Sequence, residues 1–231
     1  MKLSVIIPAF NEKDTIEEII ARVLKTPFEK EVIVVDDGST DGTSEKLAAL
    51  PPGVSVITFP ENRGKGSAVR AGVEAASGDI IIIQDADLEY NPAEYRKLVE
   101  PIEKGAADVV YGSRNASGDN PRSSFSFYFG GVLLSKITNL LYGARLTDEA
   151  TGYKVFRAGL LKGLELESRG FEFCPEVTGK LLRKGIRIHE VPISYNPRMK
   201  KEGKKITWKD GIKAVWSLVK WRFFKNSRRE A

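Results

Sequence analysis

Three groups of acidic and polar residues have the types and spacing that suit the binding of a charged ligand. Their acidic members are Glu12, Asp36, Asp37, Asp85 and Asp87, and each group directly follows a run of apolar residues. Carboxylates that meet at one edge of a sheet repel one another unless a cation or hydrogen-bond donors lie between them. The pair Asp85 and Asp87 suits Mg²⁺ or Mn²⁺, because hard ions take oxygen ligands and keep positions open for phosphate oxygens. We therefore predict a divalent-metal site at Asp85 and Asp87.

A basic segment rich in glycine, residues 62–66, adds a second kind of phosphate contact. It reads Asn-Arg-Gly-Lys-Gly and precedes a predicted helix. Glycine lets a backbone approach a ligand closely, and a helix N-terminus offers unpaired N–H groups to phosphate. Each segment alone also has an ordinary structural explanation, because acidic turns cap helices and Gly-Lys-Gly is common in solvated loops. The combination of all of them at one sheet edge favours a binding site.

The elements that must position these residues follow from the hydrophobic pattern. Runs such as VIVV and IIII are apolar on both faces, as buried parallel strands are, and amphipathic stretches separate them. Such alternation predicts an α/β fold with a parallel sheet, in which ligands bind beyond the carboxyl ends of the strands. The predicted strands are Leu3–Ile7, Glu31–Val35, Val54–Phe59, Asp79–Gln84 and Asp108–Tyr111.

After Gly112 the regular alternation ends. We predict a long apolar helix, a short strand, a helix, a strand of ten residues and a final helix, at Phe125–Tyr142, 152–157, Pro175–Lys184, 186–195 and Trp208–Phe224. Residues 1–195 are expected to form the main α/β domain. Residues 196–231, a basic loop and an amphipathic helix, are expected to belong to the same domain or to form an appendage.

Composition and charge limit the class of protein. With 42% hydrophobic and 29% charged residues, the 231-residue chain is globular in composition. Its first residues do not resemble a secretion signal, and no apolar run reaches the roughly 18–20 residues that span a bilayer. Cys174 is the only cysteine, which fits a reducing cytosol, and we expect both it and His189 to be structural. These features predict a cytoplasmic protein that is not integral to a membrane.

The net charge of +5 is unevenly distributed. From Asn196 onwards the sequence contains twelve Lys/Arg residues and three Asp/Glu residues, so this segment carries a net charge of +9 and the preceding residues carry −4. A basic tail suggests phosphate groups, anionic lipid or nucleic acid as a partner, although it can also be a merely soluble terminus. The last helix places aromatic residues at helical spacing among lysines, which indicates either core packing or a helix at a membrane surface. In the second case we expect Trp216 and Trp221 to support membrane binding.

Five segments, taken in order, resemble the family-two inverting glycosyltransferases of the GT-A fold. They are SVIIPAFNE, VIVVDDGSTDGT, NRGKGSAVRAG, IIIQDADLE and DVVYGSR. The downstream segments GSRN, TDEATGYKVFR and EVPISY are similar to those of polyprenyl-phosphate (dolichol-phosphate) mannosyl- and glucosyltransferases, although the C-terminal transmembrane helices of many such enzymes are not expected here. The resemblance implies a GT-A sheet with flanking helices. It also implies metal-dependent, inverting transfer of mannose or glucose from a GDP- or UDP-sugar to a polyprenyl phosphate, by a protein peripheral to the inner face of the membrane.

The resemblance also implies roles for individual residues. Lys65 would lie near the base or diphosphate, Asp85 would contact the ribose or a phosphate, and Asp87 would bind the metal. Ser135 would join the ligands of the acceptor phosphate. The nucleoside pocket would be lined by Pro8, Ala9, Glu12 and Asp37.

Basic residues are the candidates for binding the acceptor phosphate, and Arg suits a bidentate contact. Lipid-phosphate relatives close their site with a loop of the form Arg-x-x-Gly-x-Ser-Lys. In residues 198–205 the spacing from Arg198 to Gly203 is two residues longer than the corresponding spacing in that loop, and the serine is absent. The candidates are Arg114, Arg122, Arg198, Lys204 and Lys205, of which Arg198 is expected to take part in catalysis.

Asp148 bears on the mechanism because hydroxyl-glycosylating relatives place their catalytic base in the segment that reads TDEATG here. An alcohol needs a base, whereas a phosphate with a second pKa of about 6 is already ionised near neutral pH. For a phosphate acceptor Asp148 would position the sugar or acceptor, and a third possibility is a structural cap. The alternatives to the lipid-phosphate enzyme are transfer to a sugar hydroxyl, an inactive nucleotide-sugar sensor and a nucleic-acid-binding protein. We expect no nucleic-acid partner, because the predicted sheet edge is acidic.

Overall fold

The computed structural model describes residues 1–50, 53–116, 118, 120, 121, 125–198, 205 and 207–224. Strands and helices alternate in the first half of the chain, and helices predominate in the second. The strands are β1 (Leu3–Ala9), β2 (Lys30–Asp36), β3 (Val54–Thr58), β4 (Ile80–Ile83), β5 (Val109–Ser113), β6 (Lys154–Arg157) and β7 (His189–Pro192). The helices are α1 (Ile16–Leu24), α2 (Thr43–Ala48), α3 (Lys65–Ala75), α4 (Tyr95–Glu103), α5 (Phe125–Tyr142), α6 (Ala158–Lys162), α7 (Phe173–Arg183) and α8 (Trp208–Phe223).

All seven strands form one mostly parallel sheet in the order β3-β2-β1-β4-β6-β5-β7. β6 is antiparallel to both of its neighbours, β4 and β5, and the other pairings are parallel. The α/β prediction is therefore confirmed. The carboxyl ends of β1, β2 and β4 lie at the same edge, which brings the loops after these strands together.

The centre of the sheet is buried on both faces, and its strand β4 is apolar at every position. In β4, Ile80 and Ile82 pack into the core layer beneath α1, α2 and α4, whereas Ile81 and Ile83 pack into the layer beneath α3, α6 and α7. Side chains of a strand alternate between faces, so four consecutive isoleucines supply both layers. This arrangement fixes the register of the strand that leads into Asp85.

The last helix, α8, packs against α7 and α5. Its Trp221 side chain is buried, and the Lys180 ammonium lies 3.8 Å from the centre of the Trp221 ring. α8 approaches α7 closely at Gly179, where an added Cβ would lie 2.7 Å from the Tyr142 hydroxyl and 3.3 Å from Trp221 Cβ. The Tyr142 hydroxyl donates to the Leu218 carbonyl at 2.7 Å. Within the described ranges, no helix combines the length and apolarity needed to cross a membrane.

Candidate active site

A cavity of about 1470 Å³ lies beyond the carboxyl ends of β1, β2 and β4 and continues between α5 and α8. The half of the cavity at the strand ends is polar, and most of the candidate site residues from the sequence line it. Asp148 and Ser135 lie outside its lining, and Arg122 and Lys204 lie outside the described residues. The candidates that line the cavity are Pro8, Ala9, Glu12, Asp37, Lys65, Asp85, Asp87, Arg114, Arg198 and Lys205.

Asp37 holds the basic glycine segment in place. Its carboxylate accepts hydrogen bonds from Asn62 Nδ2 at 3.0 Å and from the backbone N–H groups of Arg63 and Gly64 at 2.7 and 2.8 Å. Burial raises the pKa of Asp37, against the effect of these donors. Because the Asp37 oxygens bind the loop that leads into Lys65, the residue shapes the pocket and at the same time lines it.

Lys65 and Asp85 form an ion pair inside the cavity. Lys65 Nζ lies 2.5 Å from Asp85 Oδ1, and both side chains are largely buried. Burial alone would lower the pKa of Lys65, but attraction by Asp85, Cys174 and Asp87, together with the hydrogen bond to Asp85, outweighs burial and raises that pKa. Lys65 is therefore a permanent cation at the start of α3, where a helix N-terminus also favours anions.

Asp87 lies in an environment that disfavours its charge. Burial, and then repulsion by Asp85 and Glu89, raise the pKa of Asp87 to about 7. A divalent cation beside Asp85 and Asp87 would relieve this repulsion, and carboxylate oxygens are the ligands that Mg²⁺ and Mn²⁺ take. No cluster of three or more potential metal-ligating side chains occurs in the described ranges, so a cation here would take its remaining oxygens from water or from a bound ligand.

Gly152 is a site residue that the sequence patterns did not indicate. An added Cβ at this position would lie 2.3 Å from Asp85 Oδ2, and the Gly152 N–H donates to the Tyr90 hydroxyl at 3.0 Å. Only a glycine leaves the space that the Asp85 carboxylate occupies. This close approach brings the segment 147–152 to the polar half of the cavity, beside Asp85. The only sequence signal for the contact was the glycine itself.

Asp148 is fully buried and is bound to Arg114. Arg114 Nε and a terminal guanidinium nitrogen lie 2.7 Å from the two Asp148 oxygens, and the Arg114 backbone N–H donates to the same carboxylate at 2.9 Å. Burial would lower the pKa of Arg114, but attraction by Asp148, Tyr90 and Tyr195, together with the hydrogen bonds to Asp148, outweighs burial and raises that pKa. Asp148 thus directs the Arg114 guanidinium, which lines the cavity 5.1 Å from the centre of the Tyr195 ring. This geometry suits a positioning role for Asp148 better than that of a base.

The hydroxyl of Ser135 is engaged within the fold. It donates to the Gly131 carbonyl at 3.0 Å and accepts from the Glu149 N–H at 2.9 Å. The side chain is buried and does not line the cavity. In this arrangement the Ser135 hydroxyl fixes the backbone of Glu149, and its role as a phosphate ligand stays a prediction.

Glu12 binds two of the cations that were expected to meet the acceptor. The Arg198 guanidinium contacts both Glu12 oxygens, at 3.1 and 2.7 Å, and Lys205 Nζ lies 2.7 Å from one of them. The backbone N–H of Arg198 also donates to the Glu89 carboxylate at 2.7 Å. Glu12 therefore brings Arg198 and Lys205 to the mouth of the polar half.

The other half of the cavity is apolar and lies between α5 and α8. Phe127, Leu134, Val215 and Val219 are among its lining residues. Among the exposed large hydrophobic residues in the described ranges, only Met1, Leu24 and Val56 lie away from these two helices. The others are Phe129, Leu133, Leu140, Trp208, Ile212, Trp216, Phe223 and Phe224, which directly follows α8.

The expectation for Trp221 was wrong. Its ring is 3% exposed and packs against α7, whereas Trp216 is 59% exposed. The helical pattern of α8 therefore combines both explanations that the sequence left open, with one face in the core and another at the surface.

Cys174 lines the cavity, and burial raises the pKa of its thiol, so it is a packing residue there rather than a thiolate.

Residues 4–164 match the model of the protein family described as glycosyl transferase family 2. The dolichol-phosphate mannosyltransferase of Pyrococcus furiosus is 32% identical over 96% of this chain, which spans 64% of that relative. The undecaprenyl-phosphate mannosyltransferase of Micrococcus luteus is 33% identical over 96% of this chain and 94% of its own length. The glucosyl-3-phosphoglycerate synthase of Mycobacterium tuberculosis, solved with Mn²⁺ and UDP, has a similar fold, with a TM-score of 0.73 and 21% identity over 98% of this chain and 81% of its own.

Proposed function

The chain belongs to glycosyl transferase family 2 and is a glycosyltransferase, and from this premise we propose that it transfers mannose or glucose from a GDP- or UDP-sugar to a polyprenyl phosphate. Transfer proceeds with inversion and needs Mg²⁺ or Mn²⁺. The names of the polyprenyl-phosphate relatives support the acceptor. One observation carries the proposal: a single cavity joins a polar end that holds cations and carboxylates to an apolar end between two helices.

The donor half binds the nucleotide sugar at the ends of the strands. Asp85 and Asp87 would hold the divalent ion, which when bound neutralises charge on the departing diphosphate. Lys65 adds a fixed positive charge beside Asp85. Pro8, Ala9 and Asp37 line the same part of the cavity and form the proposed nucleoside pocket.

The acceptor half offers cations for a phosphate and an apolar groove for a prenyl chain. Arg114, Arg198 and Lys205 line the cavity, and α5 and α8 provide apolar walls. Since a phosphate is already ionised near neutral pH, its oxygen can attack the anomeric carbon without a base. The pairing of both Asp148 oxygens with Arg114 therefore favours a phosphate over a sugar hydroxyl.

The test is a donor screen with polyprenyl phosphate and Mn²⁺ or Mg²⁺, in which the released nucleoside diphosphate is measured. Release should depend on the acceptor phosphate and fail with the unphosphorylated polyprenol. Arg198→Ala should raise the KM for the acceptor by about 10- to 150-fold, because a charge-assisted hydrogen bond is lost. Arg22→Ala, which removes an exposed arginine of α1, is the control. Equal transfer to a neutral sugar acceptor, with no effect of Arg198→Ala, would refute the lipid-phosphate assignment.

The exposed aromatic residues of α5 and α8 support binding at the cytoplasmic face of a membrane. The proposed division assigns donor chemistry to residues 1–195 and surface attachment to residues 196–231. Trp208→Ser/Trp216→Ser should weaken co-sedimentation with anionic vesicles by roughly tenfold or more, because the indole rings no longer enter the headgroup layer. Binding should fall with salt, since lysines contribute to it. Leu24→Ser, an exposed leucine of α1, is the control, and equal binding by both variants would contradict the assignment.

A further inference from the structure

Glu149 is a buried acid whose carboxylate the fold leaves without partners. The residue is 0% exposed, and neither of its carboxylate oxygens makes a hydrogen bond. Within the described ranges, no other buried side-chain nitrogen or oxygen is left in this state. Burial raises the pKa of Glu149, and the nearby Lys154 ammonium and Thr178 hydroxyl oppose this effect. Neither group forms a hydrogen bond with the Glu149 carboxylate oxygens, and the Thr178 hydroxyl pairs with the Tyr111 hydroxyl at 2.9 Å. Leaving a buried carboxyl unsatisfied costs free energy, so the exception calls for a functional explanation.

Glu176 shows how the same fold treats a buried structural glutamate. It is also 0% exposed, but its oxygens accept from the backbone N–H groups of Glu167 and Ser168 at 2.9 and 2.7 Å. Lys180 Nζ adds an ion pair at 2.7 Å. A glutamate that only supports the fold is thus fully satisfied here, and Glu149 is not.

The backbone of Glu149 is fixed although its carboxyl is unpartnered. The Ser135 hydroxyl accepts from its N–H at 2.9 Å, and Lys154 Nζ donates to its carbonyl at 2.8 Å. The Lys154 ammonium lies 3.6 Å from the centre of the Tyr111 ring and forms no ion pair with the Glu149 carboxylate. The buried side chains of Ser135 and Lys154 therefore fix the backbone of Glu149 at its location beside the cavity.

Glu149 lines the cavity close to the donor end. Ala150, Gly152 and Cys174 line the same wall, and Gly152 is the residue that closely approaches the Asp85 carboxylate. Since Glu149 is 0% exposed, its carboxyl lies behind the cavity surface, and a ligand that reaches it must bring a hydrogen-bond donor. Phosphate oxygens would be repelled, whereas the hydroxyl groups of a sugar can donate. The wall therefore disfavours the diphosphate, and the hydroxyls of the ribose or the hexose and the N–H groups of the base can all donate to it. Because the nucleoside pocket is proposed at Pro8, Ala9 and Asp37, the hexose is the part assigned to Glu149.

We infer that Glu149 determines sugar specificity, its carboxyl accepting a hydrogen bond from a hydroxyl group of the hexose that is transferred. The inference rests on the proposed function, because it needs a nucleotide-hexose in the cavity. Buried polar groups built to meet a substrate hydroxyl reject analogues that lack it, since the protein group is then left unpaired.

The test compares the natural donor with analogues in which single sugar hydroxyls are replaced by hydrogen. Wild-type protein should disfavour one deoxy analogue by about 10- to 150-fold in kcat/KM, which corresponds to one hydrogen bond to a charged group. In Glu149→Ala this ratio should fall to about one, and Glu149→Gln, which keeps one acceptor oxygen, should give an intermediate ratio. Glu149→Gln also serves if the alanine variant does not fold.

Glu176→Gln is the matched control, because it alters a buried glutamate whose role is structural. It should lower thermal stability and leave the ratio between natural and deoxy donors unchanged. The inference is overturned if Glu149 variants lower kcat/KM for all donors by the same factor, or if wild-type protein does not discriminate among them. Donor affinity measured by calorimetry without acceptor gives the same comparison, so a failure of transfer to polyprenyl phosphate is distinguishable. If no nucleotide-hexose binds, this inference and the proposed function both fail.

Discussion

Asp87→Ala is expected to lower the rate of sugar transfer by about 10²- to 10⁴-fold while the protein remains folded. A bound divalent ion stabilises the developing charge of a leaving group by several kcal/mol, and each 1.36 kcal/mol corresponds to about tenfold in rate. Burial and acidic neighbours already disfavour the Asp87 charge, so its removal should not destabilise the fold. The measurement is release of nucleoside diphosphate at saturating Mn²⁺, with the unfolding midpoint recorded alongside.

Asp108→Ala is the control for this substitution. Asp108 directly precedes β5, lies at the opposite edge of the sheet and pairs with Arg157 at a largely exposed position. Its loss should leave the rate within about twofold, since surface ion pairs contribute little. Binding of Mn²⁺ in the presence of nucleoside diphosphate, followed by electron paramagnetic resonance, should weaken in Asp87→Ala alone. An unchanged rate in Asp87→Ala, or in wild-type protein with excess chelator, would refute metal-dependent transfer.

Asp148→Asn is expected to lower the free energy of unfolding by about 3 kcal/mol, because it leaves the Arg114 guanidinium, whose side chain is 21% exposed, without its counter-charge. Asp148 is fully buried and accepts three hydrogen bonds from Arg114. An amide can accept at one oxygen only, so at least one Arg114 donor loses its partner. The measurement is urea denaturation, with the midpoint and the slope reported separately.

The double variant Arg114→Gln/Asp148→Asn distinguishes pairing from catalysis. If the two residues act as a buried pair, the double variant should lose less stability than the two single losses added together. The alternative in which Asp148 is a general base predicts, in addition to the loss of stability, a rate lower by about 10²- to 10⁴-fold in the folded Asp148→Asn protein. That result with a sugar-hydroxyl acceptor would reverse the acceptor assignment and leave the donor site unaffected.

The sequence predicted the donor side well because its signals are local. Apolar runs followed by carboxylates mark strand ends, and strand ends of a parallel sheet meet at one edge. This reasoning brought together Lys65 and Asp85, whose ion pair spans 20 positions in the chain. It did not foresee that Glu12 would bind Arg198 and Lys205, nor that Asp148 would bind Arg114. Such pairs join distant segments through individual side chains, and no periodic pattern records them.

The predicted strand at 186–195 shows the same limit. Its apolar pattern continues to Tyr195, but the strand β7 ends at Pro192. Beyond that point the Ser194 and Tyr195 N–H groups donate to the side chains of Glu94 and Asn120, both at 2.9 Å, instead of to a neighbouring strand. Hydrophobic alternation reports which side chains are buried, but it does not report which groups the backbone bonds.

The close packing of α8 on α7 at Gly179 affects the thermodynamics of acceptor binding. An apolar wall that first had to become ordered around a prenyl chain would lose conformational entropy with each binding event. Here α8 is already fixed by Trp221 and by the hydrogen bond from Tyr142 to the Leu218 carbonyl. The entropy of ordering this wall is therefore part of the folding free energy. A bulkier residue at position 179 would move that cost from folding to binding.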